Sequence, residues 1–159
     1  MIPDQSQILE IIDFALKEDI GDGDHTSLAT VPKNAKGKAR LLVKAEGILA
    51  GVELAKIIFH RVDPNLKIEV LIPDGSHVKY GDIAFYVEGS SRSILSAERL
   101  MLNFMQRISG IATKTHQLAK IIEDLPTQLL DTRKTTPCVR LMEKWAVRIG
   151  GGNNHRFAL

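Results

Sequence analysis

Only one cysteine, Cys138, stands among the 159 residues, so no internal disulfide can form and a reducing cytoplasm is the expected setting. No apolar run approaches the ~20 residues that a helix needs to cross a bilayer. The opening Met1-Ile2-Pro3-Asp4-Gln5-Ser6 lacks the basic and apolar regions of a secretory leader, and none is expected. The five histidines show no metal-ligand spacing; His60, His77 and His116 read as surface or half-buried side chains. Internal repeats and low-complexity tracts are also missing. What is left is ordinary globular composition, 44% hydrophobic and 25% charged, which argues against disorder. A chain of this length buries roughly 70% of its unfolded surface without needing a staple.

The net charge of +2 hides an asymmetry. Residues 131–159 carry six cations (Arg133, Lys134, Arg140, Lys144, Arg148, Arg156) against two acids (Asp131, Glu143), while the remainder is net −2. A local excess of this kind suits a small anionic ligand better than a long nucleic acid, which draws a broader basic face.

Periodicity predicts a helix near residues 6–18, with Ile8, Ile11, Ile12, Ala15 and Leu16 inward and Ser6 or Asp4 as N-cap. A glycine-broken loop follows over Asp19–Thr26. Strands are expected in 36–50, 66–72 and 83–87, and a helix over 51–62. Strands with helices beside them suggest an α+β layer for residues 1 to about 90. Residues 92–124 read as helical with an interruption near Ser109-Gly110, and Leu95, Leu102, Ile108 and Ile111 supply the apolar stripe. A short buried strand at Leu129-Leu130, a helix over 138–148 with Pro137 in its first turn, and a strand over 153–159 make one βαβ unit. One such unit cannot close a barrel or cover a sheet.

Several motifs fail on inspection. Counted from Asp22, the sixth position of a calcium loop is Ser27 and the twelfth is Lys33, so the loop reads as a solvated cap instead. Gly150-Gly151-Gly152 is no dinucleotide fingerprint, because the third required glycine falls at His155. Lys134-Thr135 follows Arg133, not the glycine of a Walker motif. The turn from Asp74 to Asp82 has the grammar of a lipoyl-type module but lacks its hairpin lysine.

One constellation survives. Asp131-Thr132-Arg133-Lys134-Thr135-Thr136-Pro137 leaves the end of a strand and enters a helix. In α/β folds that edge binds ligands, and a helix start beyond Pro137 offers unpaired N–H groups to an anion. The three glycines permit close backbone approach, and Asn154-His155-Arg156 adds donors on the next strand. Arg133 and Arg156 can each grip a carboxylate bidentately.

These segments resemble the two central motifs of the quinolinate phosphoribosyltransferases. Glu98 to Thr113 looks like that family's long-helix signature, and Glu18 to Thr26 is similar to its N-terminal loop. The resemblance implies an α+β, sandwich-like N-terminal domain (residues 1–112) followed by the first βαβ unit of an α/β barrel (residues 113–159), left incomplete. It implies phosphoribosyl transfer from phosphoribosyl pyrophosphate to quinolinate with decarboxylation, giving nicotinate mononucleotide in NAD biosynthesis. Magnesium (Mg2+) accompanies the donor, and a homodimer shares its active sites. By motif, Arg107 contacts a quinolinate carboxylate in the neighbouring subunit. Arg133, His155 and Arg156 hold quinolinate, Lys134 faces the donor, and Thr132 contributes a hydroxyl or backbone group. Cys138 departs from the family's usual glycine. The carboxylates that serve ribose and metal, and a further lysine, are expected beyond Leu159, so the chain alone is expected to be inactive. A related enzyme of another anionic substrate, such as the homologues associated with molybdenum transport, or a non-catalytic dimerisation or anion-binding module, remains the alternative.

Overall fold

A computed structural model describes residues 4–158. Helix α1 (Gln5–Ile20) begins where the Asp4 carboxylate accepts a hydrogen bond from the Ser6 N–H at 2.9 Å, satisfying one of the donors that a first turn leaves unpaired. It buries Ile8 and Ile12. The loop expected after it is shorter than its glycines suggest, because α2 (His25–Thr30) starts within it. Asp24 caps α2 by accepting from the Ser27 N–H at 3.0 Å, so the acidic stretch is cap chemistry.

Strands β1 (Lys36–Leu42), β3 (Lys67–Val70) and β5 (Ile83–Ser90) form an antiparallel sheet in the order β1-β5-β3. A second pair, β2 (Gly47–Ile48) with β4 (His77–Val78), is also antiparallel. The central strand β5 buries Ala84, Phe85 and Val87. Helix α3 (Val52–Val62) sets Phe59 edge-on to Phe85, with ring centroids 6.2 Å apart. Gly51, at φ 100°, gives α3 no side-chain cap of its own. Asp74, from the turn before β4, supplies the cap by accepting from the N–H groups of Val52 at 2.7 Å and Glu53 at 3.2 Å. Burial pushes the Asp74 carboxyl above its ordinary pKa, against the pull of these backbone donors.

Helix α4 (Ser91–Ile121) runs unbroken through Ser109-Gly110, where an interruption was expected. The reason lies outside the helix. The Ser109 hydroxyl accepts from the Ala50 N–H at 3.0 Å and donates to the Ala50 carbonyl at 2.9 Å, while the Thr113 hydroxyl accepts from the Ile48 N–H at 2.9 Å. Hydroxyls that otherwise compete with helical bonds instead satisfy the backbone beside β2. Of the predicted stripe, Ile108 is buried and Leu102 and Ile111 pack on the core, but Leu95 is exposed. The expected boundary between residues 112 and 113 falls inside this helix.

Beyond α4 the strand, helix, strand order expected is reduced to the helix, with each flanking strand replaced by one residue of an isolated bridge. A lone parallel bridge joins Leu130 to Asn153, through Asp131 N–H to Asn153 O at 3.0 Å and Asn153 N–H to Leu129 O at 2.9 Å. Leu130 is exposed, so this strand is not buried. After Asn153 no ladder continues among the described residues, because the His155 N–H turns to the Asp131 carboxylate at 2.8 Å; Leu159 lies outside them. Helix α5 (Arg140–Ile149) starts two residues later than expected, since Cys138 sits at φ 67°, in the left-handed region. The anion-binding helix start expected directly after Pro137 is therefore not there.

The glycine run after α5 also differs in role from its reading as a ligand approach. A Cβ on Gly150 would lie 2.3 Å from the Ala112 carbonyl oxygen, and one on Gly152 would lie 2.7 Å from Val147 Cγ1 and 2.9 Å from Thr115 Cγ2. The close approach is between the chain after α5 and α4. Gly150→Ala is accordingly expected to destabilise the protein by about 1–3 kcal/mol, whereas Gly110→Ala stabilises it by about 0.5–1 kcal/mol, since mid-helix Gly110 has open space around it. Paired thermal melts of the full-length variants check this. Cys138→Gly is expected to add about 1 kcal/mol in the same assay, the left-handed penalty less the extra unfolded freedom of glycine.

Candidate functional site

The segment after the Leu130 bridge and the segment after Asn153 run side by side, and Asp131 joins them. Its side chain is 7% exposed and that of Lys144, on α5, is 1% exposed. The two form a buried ion pair. Asp131 also accepts from the Asn154 side-chain amide at 2.7 Å and from the His155 N–H at 2.8 Å. Lys144 donates to the His155 carbonyl at 3.1 Å, and its ammonium lies 4.9 Å from the Phe157 ring centroid. The Asn154 amide completes the ring by donating to the Lys144 carbonyl at 2.8 Å. Two charges thus leave water together with nearly all their hydrogen-bonding capacity filled.

One position earlier on α5, Glu143 does similar work on the other side. It accepts from Arg107 Nε of α4 at 2.9 Å and also pairs with Arg107 Nη2, and its second oxygen accepts from the Thr136 N–H at 3.2 Å. Arg107 Nη2 further bonds the Thr136 hydroxyl. Burial alone pushes Glu143 upward. The Arg107 hydrogen bond, the two Thr136 donors and the Arg107 charge outweigh it and hold the carboxyl below its ordinary range.

These contacts sort the cations of the 131–156 region. Lys144 is spent on Asp131. Arg140 donates to the Thr135 hydroxyl at 3.0 Å and the Phe157 carbonyl at 2.9 Å, and Arg148 donates to the Asn153 side-chain oxygen at 2.6 Å. Among the described residues Arg133, Lys134 and Arg156 make no ion pair, and Arg133 Nε is buried with no hydrogen-bond partner. All three are among the residues on which the sequence placed a ligand, whereas Arg107, the other arginine of that set, is spent on Glu143. Thr132 is committed locally, its hydroxyl accepting from the Lys134 N–H at 3.1 Å. His155 is exposed and anchored through its backbone. Arg107 is 48% exposed but tied to its own chain.

Thr132, Lys134 and Thr135 line a cavity of about 270 Å³ with Asp131, Lys144 and apolar residues of α4. Arg133, His155 and Arg156 do not line it, so the expected residues do not converge on one enclosed pocket within this chain. No group of three or more His, Cys, Asp or Glu among the described residues is placed to hold a metal. The carboxylates of Asp131 and Glu143 are already committed to cations, and the described residues do not fit a magnesium site. Sequence reasoning missed Asp131, Glu143, Lys144 and Asn154 as the supports of the site. The helix pattern carried no signal for Glu143 and Lys144, which stand between Met142 and Trp145 in sequence but turn about 100° and 200° away from Met142 around the helix.

The described residues form an α+β unit, then a helix flanked by a one-residue parallel bridge and an edge carrying unpaired cations. Residues 24–109 match the quinolinate phosphoribosyl transferase N-terminal domain, and residues 111–159 match the C-terminal domain of the same family. The chain belongs to the quinolinate phosphoribosyltransferase family. It is 49% identical over 150 residues to the chloroplastic nicotinate-nucleotide pyrophosphorylase [carboxylating] of Oryza sativa subsp. japonica, covering 94% of this chain and 40% of that protein. It is 51% identical to quinolinate phosphoribosyltransferase [decarboxylating] 1b of Nicotiana tabacum, of which it covers 42%. The crystal structure of NadC from Streptococcus pyogenes superposes with a TM-score of 0.94 at 38% identity, over 98% of this chain and 55% of that one. The chain therefore spans about 40% of the length of these curated relatives.

The Glu143–Arg107 link gives a pH prediction. A depressed folded-state pKa means stabilisation that is present above the unfolded value, ordinarily 4.5, and lost as pH falls through the folded value. Glu143→Gln is expected to destabilise the full-length protein by about 1–2 kcal/mol at neutral pH, discounted for the half-exposed arginine. The difference from wild type should shrink as pH falls below the ordinary glutamate range, measured by denaturant titration across pH.

Proposed function

We propose that the full-length protein transfers the phosphoribosyl group of phosphoribosyl pyrophosphate to quinolinate, releasing pyrophosphate and carbon dioxide and forming nicotinate mononucleotide. The observation that carries this reading is the set of unspent cations. Arg133, Lys134 and Arg156 lie on two segments locked side by side, with Arg133 Nε buried and unpartnered. A buried guanidinium N–H without an acceptor is costly unless a ligand supplies one, and a dicarboxylate is a fitting acceptor for planar arginine forks. Family membership and the names of the relatives support quinolinate as that ligand.

In this reading Arg133, His155 and Arg156 bind the two carboxylates of quinolinate and orient its ring nitrogen. Lys134 faces the phosphates of the donor, and Thr132 shapes the turn that presents it. The ring nitrogen forms a bond to the ribosyl carbon as the bond to pyrophosphate breaks, through a centre of oxocarbenium character. Fixed cations beside the leaving group stabilise the charge that develops there. The carbon–carboxylate bond next to the nitrogen then breaks, and its electron pair, stabilised by the adjacent cationic ring, takes up a proton. Magnesium belongs to this reading only as a companion of the donor's phosphates. Arg107 is proposed to reach quinolinate in the neighbouring subunit of a homodimer, with Glu143 and Thr136 holding it in place. A reducing compartment such as the cytoplasm, in keeping with a single exposed cysteine, completes the reading.

Arg133→Ala in the full-length protein is expected to lower kcat/KM for nicotinate mononucleotide formation by about 100-fold or more, with quinolinate binding weakened in titration calorimetry. Arg133→Lys should recover little, since lysine lacks the fork. Wild-type turnover left intact in Arg133→Ala would overturn the site assignment.

A further inference from the structure

We propose that Lys144 and Asp131 are positioning residues, whose buried ion pair sets the register of His155 and Arg156 against the loop that carries Arg133 and Lys134. The inference rests on the proposed function for the identity of the ligand, though not for the geometry.

The parallel ladder between the two segments stops at Asn153, where Asn153 N–H bonds Leu129 O at 2.9 Å. Past that point the backbone no longer aligns them, and side chains take over. The His155 N–H donates to Asp131 at 2.8 Å and the His155 carbonyl accepts from Lys144 at 3.1 Å, so both backbone groups of one residue are held by the two halves of one ion pair. The Asn154 amide bridges Asp131 at 2.7 Å and the Lys144 carbonyl at 2.8 Å, which fixes the neighbouring residue against the same pair. In an extended segment successive side chains alternate, so a slip of one residue exchanges the places of His155 and Arg156. Two bonds from this segment to Asp131 and one from Lys144 to the His155 carbonyl make that slip difficult.

Lys144 lines the cavity beside Thr132 and Lys134, but its ammonium is already occupied. Its side chain is 1% exposed, and its ammonium is taken up by Asp131, the His155 carbonyl and the Phe157 ring. A buried ion pair adds little net stability over an apolar replacement of the same size, and its best-attested use is to specify register. Asp131 stands two residues before Arg133, so the same pair also fixes where that loop begins.

The test uses the full-length protein. Lys144→Met alone leaves a buried, unpaired carboxylate and can fail to fold, so the neutral pair Asp131→Asn with Lys144→Met is the main variant. Asn154→Ala, which keeps the ion pair, is the milder one. Circular dichroism and melting establish folding, amide hydrogen exchange reads the His155 N–H, and steady-state kinetics give KM for each substrate. In the folded neutral pair, His155 exchange is expected to rise about tenfold or more. The quinolinate KM should rise about tenfold, while that for phosphoribosyl pyrophosphate changes by less than about threefold. Asn154→Ala shows the same two shifts at smaller size. Both shifts together support the proposal. Unchanged exchange, or an unchanged quinolinate KM with only kcat lowered, overturns it. If the wild type itself does not act on quinolinate, the functional reading fails, and the exchange comparison alone decides the positioning role.

Discussion

A lysine and an aspartate removed from water together cost on the order of several kcal/mol each unless their remaining hydrogen-bonding groups are met, and the C-terminal segment is arranged around meeting them. Asp131 draws in Lys144, the Asn154 amide and the His155 N–H; Lys144 in turn takes the His155 carbonyl and faces Phe157. Every one of these partners is a constraint on chain path. The pair dictates how far α5 lies from the 131–136 loop, where the short parallel bridge stops, and how the residues after Asn153 enter the site. Arg133, Lys134 and Arg156 are then free to lack ion-pair partners, because the segments that carry them are held by other atoms.

That arrangement needs a firm base, which α4 supplies. Its hydroxyls at Ser109 and Thr113 fasten the backbone beside β2, and its Ala112 and Thr115 meet the chain at Gly150 and Gly152 so closely that a larger residue there would push atoms aside. One helix therefore reaches both the small sheet and the segment around α5. Arg107 extends from the same helix to Glu143 and Thr136, and so links the base to the rim of the site. Glu143 and Lys144 are consecutive on α5, yet they grip different elements, one the α4 arginine and the loop, the other the Asp131 and His155 segments.

Much of the scaffold was legible in the sequence. Apolar spacing located α1, α3 and α4, and alternation located the sheet strands, because local periodicity is set by which face is buried. The errors came where a distant partner decided the outcome. Ser109-Gly110 looked like a break because the acceptor and donor of the Ser109 hydroxyl lie 59 residues away at Ala50. The strand after Asn153 looked longer than it is because the Asp131 carboxylate, 24 residues earlier, captures the N–H that would have continued the ladder. Arg133, Lys134 and Arg156 could be picked out by their setting beside threonines and glycines. Asp131, Glu143, Lys144 and Asn154 could not, since a count of charges treats a buried lysine and an exposed one alike.

The distinction changes what the local charge excess means. Lys144 and Asp131 cancel inside the fold, and Arg140 and Arg148 spend their donors on neutral oxygens of their own chain. Glu143 is committed to Arg107, a cation from outside the basic segment, so it does not neutralise Arg133, Lys134 or Arg156. The positive potential available to a ligand therefore comes from fewer side chains than the sequence count suggests, but those side chains have no internal anion to displace. An arriving dicarboxylate or phosphate does not have to break an existing ion pair at these positions, and more of the attraction is left for binding. By holding Asp131 with Lys144 and Glu143 with Arg107 in closed pairs, the fold leaves Arg133, Lys134 and Arg156 open.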